Sequence, residues 1–275
     1  MLGSLVYVGG LGVEEALDSC ASDGARLGDE LVRIGYAGPT PCPAAAFPDT
    51  FVELHIEQGP VLEDEGVTIG VVTGVQGISW SEFTVTGRSA HAGTTPMRLR
   101  KDPMVVAARI ITEARTTTAR AGGAQVATVG HIDAYPNLTN VVAQQVRFTL
   151  DVRNTDEPTL RRVEAELFAF ADAAAAEEGC AISRRELARF EPVEFASDMI
   201  DLVEETADRL GCTTKRMPSG AGHDAQMLAR TCPTSMIFVP SVNGLSHNIA
   251  EHTHRVDVEA GANVLLQVVI ARASR

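Results

Sequence analysis

A strict alternation of apolar and polar side chains over residues 145–153 constrains the fold more than any other feature of the chain. The apolar positions are Val146, Phe148, Leu150 and Val152, and the polar positions are Arg147, Thr149, Asp151 and Arg153. Successive side chains of a strand point to opposite faces of a sheet, so this pattern predicts a strand with one buried face. The other face of the predicted sheet is exposed to water.

The segments around this strand predict further strands and helices in an order that indicates a known type of fold. We expect further strands over 79–86, 124–133 and 181–187, and helices over 102–118 and 158–178. Phe83 and Val85 share one face of the first strand, and the first helix carries helically spaced Val105, Ala108 and Ile111. The resulting order, βαββαβ, is that of a ferredoxin-like unit.

Segments outside this unit predict a second, larger α/β domain. Strands are expected over 51–56 and 67–72 before the unit and over 235–239 after it, with helices ending at Gly211 and near the C-terminus. In residues 1–45 the only clear helical stretch is 28–34. We therefore expect a small domain at 75–190 that is inserted into a larger domain formed by 1–74 and 191–275.

Composition limits the partners of the chain. Its 275 residues carry a formal net charge of −13, which argues against a nucleic-acid groove or an anionic membrane surface. No apolar run reaches the roughly 18 residues of a membrane span, and the first residues lack the basic start of a signal peptide, so we predict a cytoplasmic protein. Five cysteines without a C-x-x-C pair predict free thiols.

Three histidines lie in short, polar segments that are typical of functional sites. His91 lies in a glycine- and hydroxyl-rich run over 87–97, His55 in the string 53–60, and His247 in a loop that follows an apolar strand. The imidazole of His55 would emerge at the carboxyl end of a strand, where open α/β sheets bind their ligands. A lone histidine there more often belongs to the surface or the core, but the whole string favours a ligand.

Two polar residues at the inserted domain predict a binding function. The planar guanidinium of Arg153 matches a carboxylate, and the amide of Asn140, thirteen residues earlier, can both donate and accept hydrogen bonds. An arginine at the end of a strand is usually a solvated charge, so the residues alone leave both roles open.

A glycine-rich loop over 219–225 precedes a predicted helix and contains Gly222 and His223. Backbone N–H groups at the start of a helix can hold an anionic group, although such a loop is weak support when it stands alone. Gln58 could hydrogen-bond to a ligand or brace its own loop. Glu251 could orient the ring of His247 or remain a solvated carboxylate at the start of a helix.

With these segments the chain resembles the hydantoinase/carbamoylase branch of the dinuclear-metal amidohydrolases, within the zinc aminoacylase/carboxypeptidase superfamily. This branch includes N-carbamoyl-L-amino acid hydrolases, allantoate amidohydrolases and β-ureidopropionases. The resemblance implies a partial metallopeptidase-like α/β catalytic domain with an inserted ferredoxin-like lid and dimerisation domain. It further implies a homodimer that hydrolyses non-peptide C–N bonds of ureido acids with two zinc or manganese ions.

The resemblance also implies a role for each candidate residue. His55 and His247 would bind metal, whereas His91 would polarise the scissile carbonyl and stabilise the oxyanion without touching metal. The expected substrate-binding residues are Gln58, Asn140, Arg153, Gly222 and His223. Glu251 would support His247 from outside the metal shell.

The family's remaining metal ligands and its catalytic Glu-Glu pair have no match in this chain. Glu14 and Glu15 read as the exposed side of a helix, and two histidines alone cannot make a catalytic zinc site. We therefore expect an N-terminally truncated chain that is inactive by itself. It would be a gene fragment, one half of a split enzyme, or a degenerate relative that binds ureido acids. An aminoacylase or dipeptidase of the same superfamily is the alternative activity.

Overall fold

The computed structural model describes residues 1–21, 23–42 and 46–274. The chain separates into two compact units, the first formed by Met1–Val75 with Val193–Arg275 and the second by Gln76–Pro192. In the described part of the chain, no helix combines the length and apolar character needed to cross a membrane. The five cysteines are free, as predicted.

Nine α-helices and twelve strands are described. The elements of residues 1–75 are α1 (Leu2–Tyr7), α2 (Val13–Leu17), α3 (Leu27–Arg33), β1 (Phe51–Ile56), α4 (Val61–Glu65) and β2 (Ile69–Val75). Those of residues 76–192 are β3 (Gly77–Thr86), β4 (Ala90–His91), α5 (Pro103–Ala121), β5 (Val126–Thr128), β6 (Ile132–Tyr135), β7 (Val141–Val142), β8 (Gln145–Asn154), α6 (Glu157–Glu178) and β9 (Ala181–Phe190). Those of residues 193–275 are β10 (Val193–Glu194), α7 (Ser197–Arg209), β11 (Thr214–Ser219), α8 (Asp224–Leu228), β12 (Thr234–Val239) and α9 (Arg255–Ala273).

The first unit is built on a mixed five-stranded sheet. Its strand order is β1-β12-β2-β10, and β11 pairs with β2 as well. β1 and β12 run parallel in register from Phe51↔Thr234 to Ile56↔Val239, so both strands end at the same edge of the sheet. The loops that leave this edge carry the motifs around His55 and His247.

Helices pack closely on this sheet. α7 and α9 bury Val203 and Val264 in the same core as Ile69 and Phe238. A Cβ on Gly261 would lie 2.6 Å from the side chains of Leu54 and Val239, so the glycine permits the close approach of α9. The hydrophobic effect of this burial stabilises the unit and holds β1 in place beneath the helices.

The second unit contains the predicted alternating strand at the centre of an antiparallel sheet. The strand order is β5-β8-β3-β9, and β6 also pairs with β8. The apolar side chains of β8 are buried with α5 and α6 on one face of the sheet. The predicted βαββαβ order is present, and the mixed α/β class is confirmed.

Two details of the second unit differ from the prediction. The strand expected over 124–133 is two short strands, β5 and β6, with Gly130 in the interval between them. In addition, β4 and β7 pair with each other as a separate two-stranded ladder. Both β5 and β6 pair with β8, so the break interrupts the strand without removing it from the edge of the sheet.

The buried side of α5 is not the one that the sequence pattern singled out. The spacing of Val105, Ala108 and Ile111 predicted the helix correctly, but Val105 is 41% exposed and Ala108 is exposed. Val106 and Ile110, both fully buried, face the sheet instead. Apolar residues occur on two sides of this helix, so spacing predicts the helix but does not decide which side is buried.

This correction yields a test with adjacent residues of the same type. We expect Val106→Ala to lower the free energy of unfolding by about 2 kcal/mol, because it leaves a cavity in a closed core. Val105→Ala should change it by less than about 0.5 kcal/mol, as for an exposed position. Urea denaturation of both variants measures the difference, and equal losses would contradict the assignment of the buried side.

Candidate functional site

The carboxyl end of β1 brings an acid and a histidine to one face of the sheet. Glu53 and His55 alternate with half-buried apolar residues on β1, and His223 approaches them from the loop before α8. One potential ligand atom from each of these three residues lies within 4.8 Å of the others. A carboxylate with two imidazoles is a donor set that suits zinc or manganese.

The tautomer of His55 is fixed by its own backbone. Its Nδ1 lies 2.8 Å from the carbonyl oxygen of Ile56. Because a carbonyl only accepts, Nδ1 must carry the proton and donate it. The lone pair of the neutral ring is therefore on Nε2, and a metal-binding histidine is commonly oriented by such a bond from its other nitrogen.

His223 is held in the same cluster by a serine. The residue is only 4% exposed, and its ring centroid lies 4.6 Å from that of His55. Its Nε2 lies 2.8 Å from Ser219 Oγ, which also lies 3.0 Å from the carbonyl oxygen of Ala221. All partners are satisfied when the serine donates to Ala221 and accepts from Nε2, which leaves the lone pair of His223 on Nδ1.

The lone pair on Nδ1 of His223 faces a carboxylate. Glu53 Oε1 lies 3.7 Å from Nδ1, and Glu53 Oε2 accepts the backbone N–H of Ala225 at 2.8 Å. Burial raises the pKa of Glu53, and the bond from Ala225 opposes that rise. Burial, together with the neighbouring His55, lowers the pKa of His223 to about 4. A neutral imidazole and a carboxylate that face each other at this distance accommodate a cation between them.

The low pKa of His223 predicts how stability depends on pH in the metal-free protein. In the unfolded chain the imidazole titrates near 6.5, whereas the folded protein accepts this proton only near pH 4. The unfolded state binds more protons in this interval, so stability is lost as the pH falls through it, by up to about 3 kcal/mol.

Urea denaturation at pH 7 and pH 4.5 measures this loss. His223→Gln should reduce the dependence on pH, while His131→Gln, at an exposed position of the second unit, should leave it unchanged. An equal dependence in the parent chain and in the His223 variant would contradict the assignment.

The loop with His247 is tied to the loop that follows β1. The backbone N–H of Gln58 donates to Ser241 Oγ at 3.0 Å, and Gln58 Nε2 donates to Ser246 Oγ at 2.9 Å. Gln58 and His247 have φ values of 58° and 55°, a left-handed conformation that costs energy for residues other than glycine. Gln58 therefore braces the loop, one of the two roles expected for it.

The other residues of the first unit that the sequence predicts as functional lie outside the three-residue cluster. His247 is exposed and, among the described residues, is not a member of the three-residue cluster. Glu251 Oε2 accepts the backbone N–H of His247 at 3.1 Å, so the observed bond supports the loop backbone rather than a ring nitrogen. Gly222 directly precedes His223. The backbone N–H of Ala225 at the helix start is engaged by the chain's own Glu53.

In the second unit, His91 and Asn140 are neighbours. His91 pairs with Val141 in the β4–β7 ladder, and the N–H of Ala92 donates to the carbonyl oxygen of Asn140 at 2.9 Å. His91 Nδ1 accepts the backbone N–H groups of Gly93 at 3.0 Å and Thr94 at 3.2 Å. In the neutral ring the proton must therefore be on Nε2, which makes His91 a hydrogen-bond donor at that atom.

Arg153 lies at the other end of β8. Its guanidinium is paired with Asp151, two residues earlier on the same face, at a shortest distance of 2.7 Å. Gln145 and Arg153 are separated by eight steps of a strand, roughly 26 Å. Asn140 precedes the Gln145 end of the strand, so the structure brings His91 and Asn140 together but not Arg153.

Sequence reasoning missed three residues of these arrangements. Glu53 lies in the string around His55, and its spacing of two from His55 puts both residues on one face of a strand. The same spacing relates Asp151 to Arg153. Ser219 gave no comparable signal, because its partner His223 is presented to it by a loop.

The fold and the cluster together define a class: an α/β protein of two units with a carboxylate and two imidazoles at the carboxyl end of β1 in the sheet of the first unit. A model of Peptidase family M20/M25/M40 matches residues 9–271, and the chain belongs to this family. The resemblance to hydantoinase/carbamoylase amidases is confirmed by the relatives. An N-carbamoyl-L-amino-acid amidohydrolase of Rhizobium meliloti is 40% identical over 273 residues, covering 99% of this chain and 65% of the relative.

Two further relatives agree with this assignment. An allantoate amidohydrolase of Escherichia coli is 37% identical over 254 residues, which cover 92% of this chain and 62% of the relative. A crystal structure of a hydantoinase/carbamoylase family amidase from Burkholderia multivorans has a TM-score of 0.91 and 41% identity, covering 100% of this chain and 66% of that one. The chain thus spans about two thirds of the length of these relatives.

Proposed function

We propose that this chain carries part of the active site of an amidohydrolase that cleaves non-peptide C–N bonds of N-carbamoyl amino acids or allantoate-like ureido acids. The observation that carries the proposal is the Glu53–His55–His223 cluster. Relatives of this chain are named N-carbamoyl-L-amino-acid amidohydrolase and allantoate amidohydrolase. The lone pair that neutral His55 carries on Nε2, together with the carboxylate and the second imidazole beside it, supports a metal-dependent reaction.

Zinc or manganese fits the donors at this edge. We propose His55 as a metal ligand through Nε2, with Glu53 and His223 as neighbouring donors. We propose His247 as a further ligand, from the adjoining loop. When bound, such an ion activates water and polarises a carbonyl. The Ile56 carbonyl orients the ring of His55, and Ser219 orients the ring of His223. Glu53 is itself held by the backbone N–H of Ala225.

The residues of the second unit would act on the substrate itself. Nε2–H of His91 would donate to the carbonyl oxygen as negative charge develops, and the amide of Asn140 would bind the ureido group. The guanidinium of Arg153 would bind the carboxylate. Gln58, Gly222 and His223 are proposed as the residues of the first unit that border the substrate.

The separation within the second unit bears on the oligomeric state. A small ureido acid does not span the roughly 26 Å that separates the two ends of β8. We therefore propose a homodimer in which one substrate receives Arg153 from one subunit and His91 with Asn140 from its partner.

The test of the reaction compares two proteins: this chain, and this chain joined to the part of the Rhizobium meliloti relative that it does not match. We expect the joined protein, loaded with zinc or manganese, to release ammonia from N-carbamoyl-L-amino acids or from allantoate, and the chain alone to be inactive. A joined protein that binds metal yet hydrolyses neither class would overturn the proposal. Hydrolysis of N-acetyl amino acids alone would favour an aminoacylase.

Mixed dimers test the shared site. His91→Ala and Arg153→Ala joined proteins should each be nearly inactive as homodimers. Exchanging their subunits should restore about a quarter of the parent activity per site, because half of the dimers are mixed and each of these has one intact site. The masses of the dimers in solution show whether the subunits have exchanged. Mixed dimers that remain inactive would contradict a site composed of residues from two subunits.

A further inference from the structure

Three side chains form a connected group on the exposed face of the second unit's sheet: Trp80, Asp151 and Arg153. Trp80 on β3 lies directly opposite Asp151 on β8, and Arg153 follows two residues later on the same face. The Arg153 Cζ atom lies 5.7 Å from the centre of the Trp80 ring, within the range of a cation–π contact. The side chains of Arg153 and Asp151 are 21% and 27% exposed.

The guanidinium is held along one of its edges. Arg153 Nε donates to both carboxylate oxygens of Asp151, at 2.9 and 3.1 Å, and Arg153 Nη2 donates to Oδ2 at 2.7 Å. A carboxylate on this edge and an aromatic ring beside it leave the planar group little rotational freedom. The conformational entropy of the arginine side chain is then lost during folding rather than during binding.

We propose that Asp151 is a positioning residue that orients Arg153 for the substrate carboxylate, with Trp80 supporting the plane of the guanidinium. This inference rests on the proposed function, in which Arg153 binds that carboxylate. Asp151 acts through Arg153 and does not touch the substrate.

The fixed position of Asp151 favours this role over competition with the substrate for Arg153. A competing carboxylate would have to move away when substrate binds. Asp151 instead stands on β8, between β3 and β5 in the sheet, and its neighbours Leu150 and Val152 are buried. A residue on a central strand is held in place by its backbone pairing, as a supporting residue should be.

The first experiment measures binding of N-carbamoylglycine and of its neutral amide, N-carbamoylglycinamide, to the chain by calorimetry. Asp151→Asn should raise the Kd of the carboxylate ligand by about tenfold, because the charge-assisted bonds that orient Arg153 are weakened. The Kd of the neutral amide should be unchanged. The matched control is Asp133→Asn, whose carboxylate lies 3.3 Å from Arg147 on the same sheet and which should alter neither Kd.

A double-mutant cycle separates positioning from an independent effect. Arg153→Lys should weaken the carboxylate ligand by at least tenfold, and adding Asp151→Asn to it should weaken binding no further. Tighter binding in Asp151→Asn would instead show that Asp151 competes with the ligand. Additive effects, or an unchanged Kd in Asp151→Asn beside a weakened Arg153→Lys, would also overturn the inference.

Trp80 provides a readout that does not require a ligand, because it is the only tryptophan of the chain. Asp151→Asn should shift its fluorescence emission as the guanidinium leaves the ring, whereas Asp133→Asn should not. Unchanged emission in Asp151→Asn would contradict the positioning of Arg153. If the parent chain fails to bind N-carbamoylglycine, or binds it equally after Arg153→Lys, the proposed role of Arg153 fails, and the emission alone decides whether Asp151 orients it.

Discussion

Replacing His91 by alanine is expected to lower kcat of the joined protein by about 10²–10³-fold, the usual cost of removing one donor to an oxyanion. The backbone N–H groups of Gly93 and Thr94 occupy Nδ1, so the only ring proton of neutral His91 is on Nε2. Arg100 holds the same turn, since its Nε donates to the carbonyl oxygen of Thr95 at 3.0 Å. The donor is therefore oriented before substrate binds.

Steady-state kinetics together with metal analysis check this prediction. The His91→Ala protein should keep the metal content of the parent, and His131→Ala, an exposed histidine of the same unit, should keep its kcat as well. His91→Gln retains an N–H donor on a shorter side chain and should recover part of the rate. Loss of bound metal in His91→Ala would place this residue in the metal shell instead.

The second unit shows how far periodicity can predict a fold. The alternation in β8 correctly identified its buried side chains, because a strand has only two faces and one of them is covered by helices. For α5 the spacing predicted a helix but not its buried side, since the adjacent residues Val105 and Val106 are exposed and fully buried, respectively. A helix can turn any side toward the sheet, and here the side was decided by the packing of α5 against its neighbours.

In the first unit, β11 escaped prediction for a related reason. Its sequence, Thr-Lys-Arg-Met-Pro-Ser over 214–219, is polar and contains a proline, and neither property is typical of a strand. It forms a strand because it pairs in parallel with the buried β2. This pairing places Ser219 beside His223, so a part of the candidate site depends on an element that has no local signal.

The candidate site could be predicted to the extent that its residues belong to short motifs. His55 and Glu53 lie in one such motif and share a strand. Their contact with the loop at 219–225 joins residues 172 positions apart, as in the bond from Ala225 to Glu53. Such contacts follow from the register of the sheet, which the sequence does not state. The motif predicted His55 as a metal ligand but did not indicate that Glu53 and His223 lie beside it.

Removing His55 is expected to have the largest effect on metal binding by this chain. His55→Ala deletes the Nε2 donor that the bond to the Ile56 carbonyl leaves available. It should reduce zinc and manganese affinity by more than the roughly 10–100-fold that loss of an outer partner costs. His247→Ala should also weaken binding, because it removes the ligand proposed from the loop that is tied to Gln58. Competition with a chromophoric chelator measures each affinity.

The remaining variants decide which donors hold the ion. Glu53→Gln keeps the shape of the side chain and an oxygen that accepts from Ala225, but it removes the negative charge that faces His223 Nδ1 across 3.7 Å. It should therefore weaken metal binding without unfolding the cluster, while His252→Ala, outside the cluster, should have no effect. Equal affinities for the parent, His55→Ala and Glu53→Gln proteins would exclude this edge as the metal site. A loss of metal affinity that is confined to His55→Ala and His247→Ala would instead show that Glu53 and His223 support the ligands. The carboxylate of Glu53 and the ring of His223 would then orient His55 rather than bind the ion.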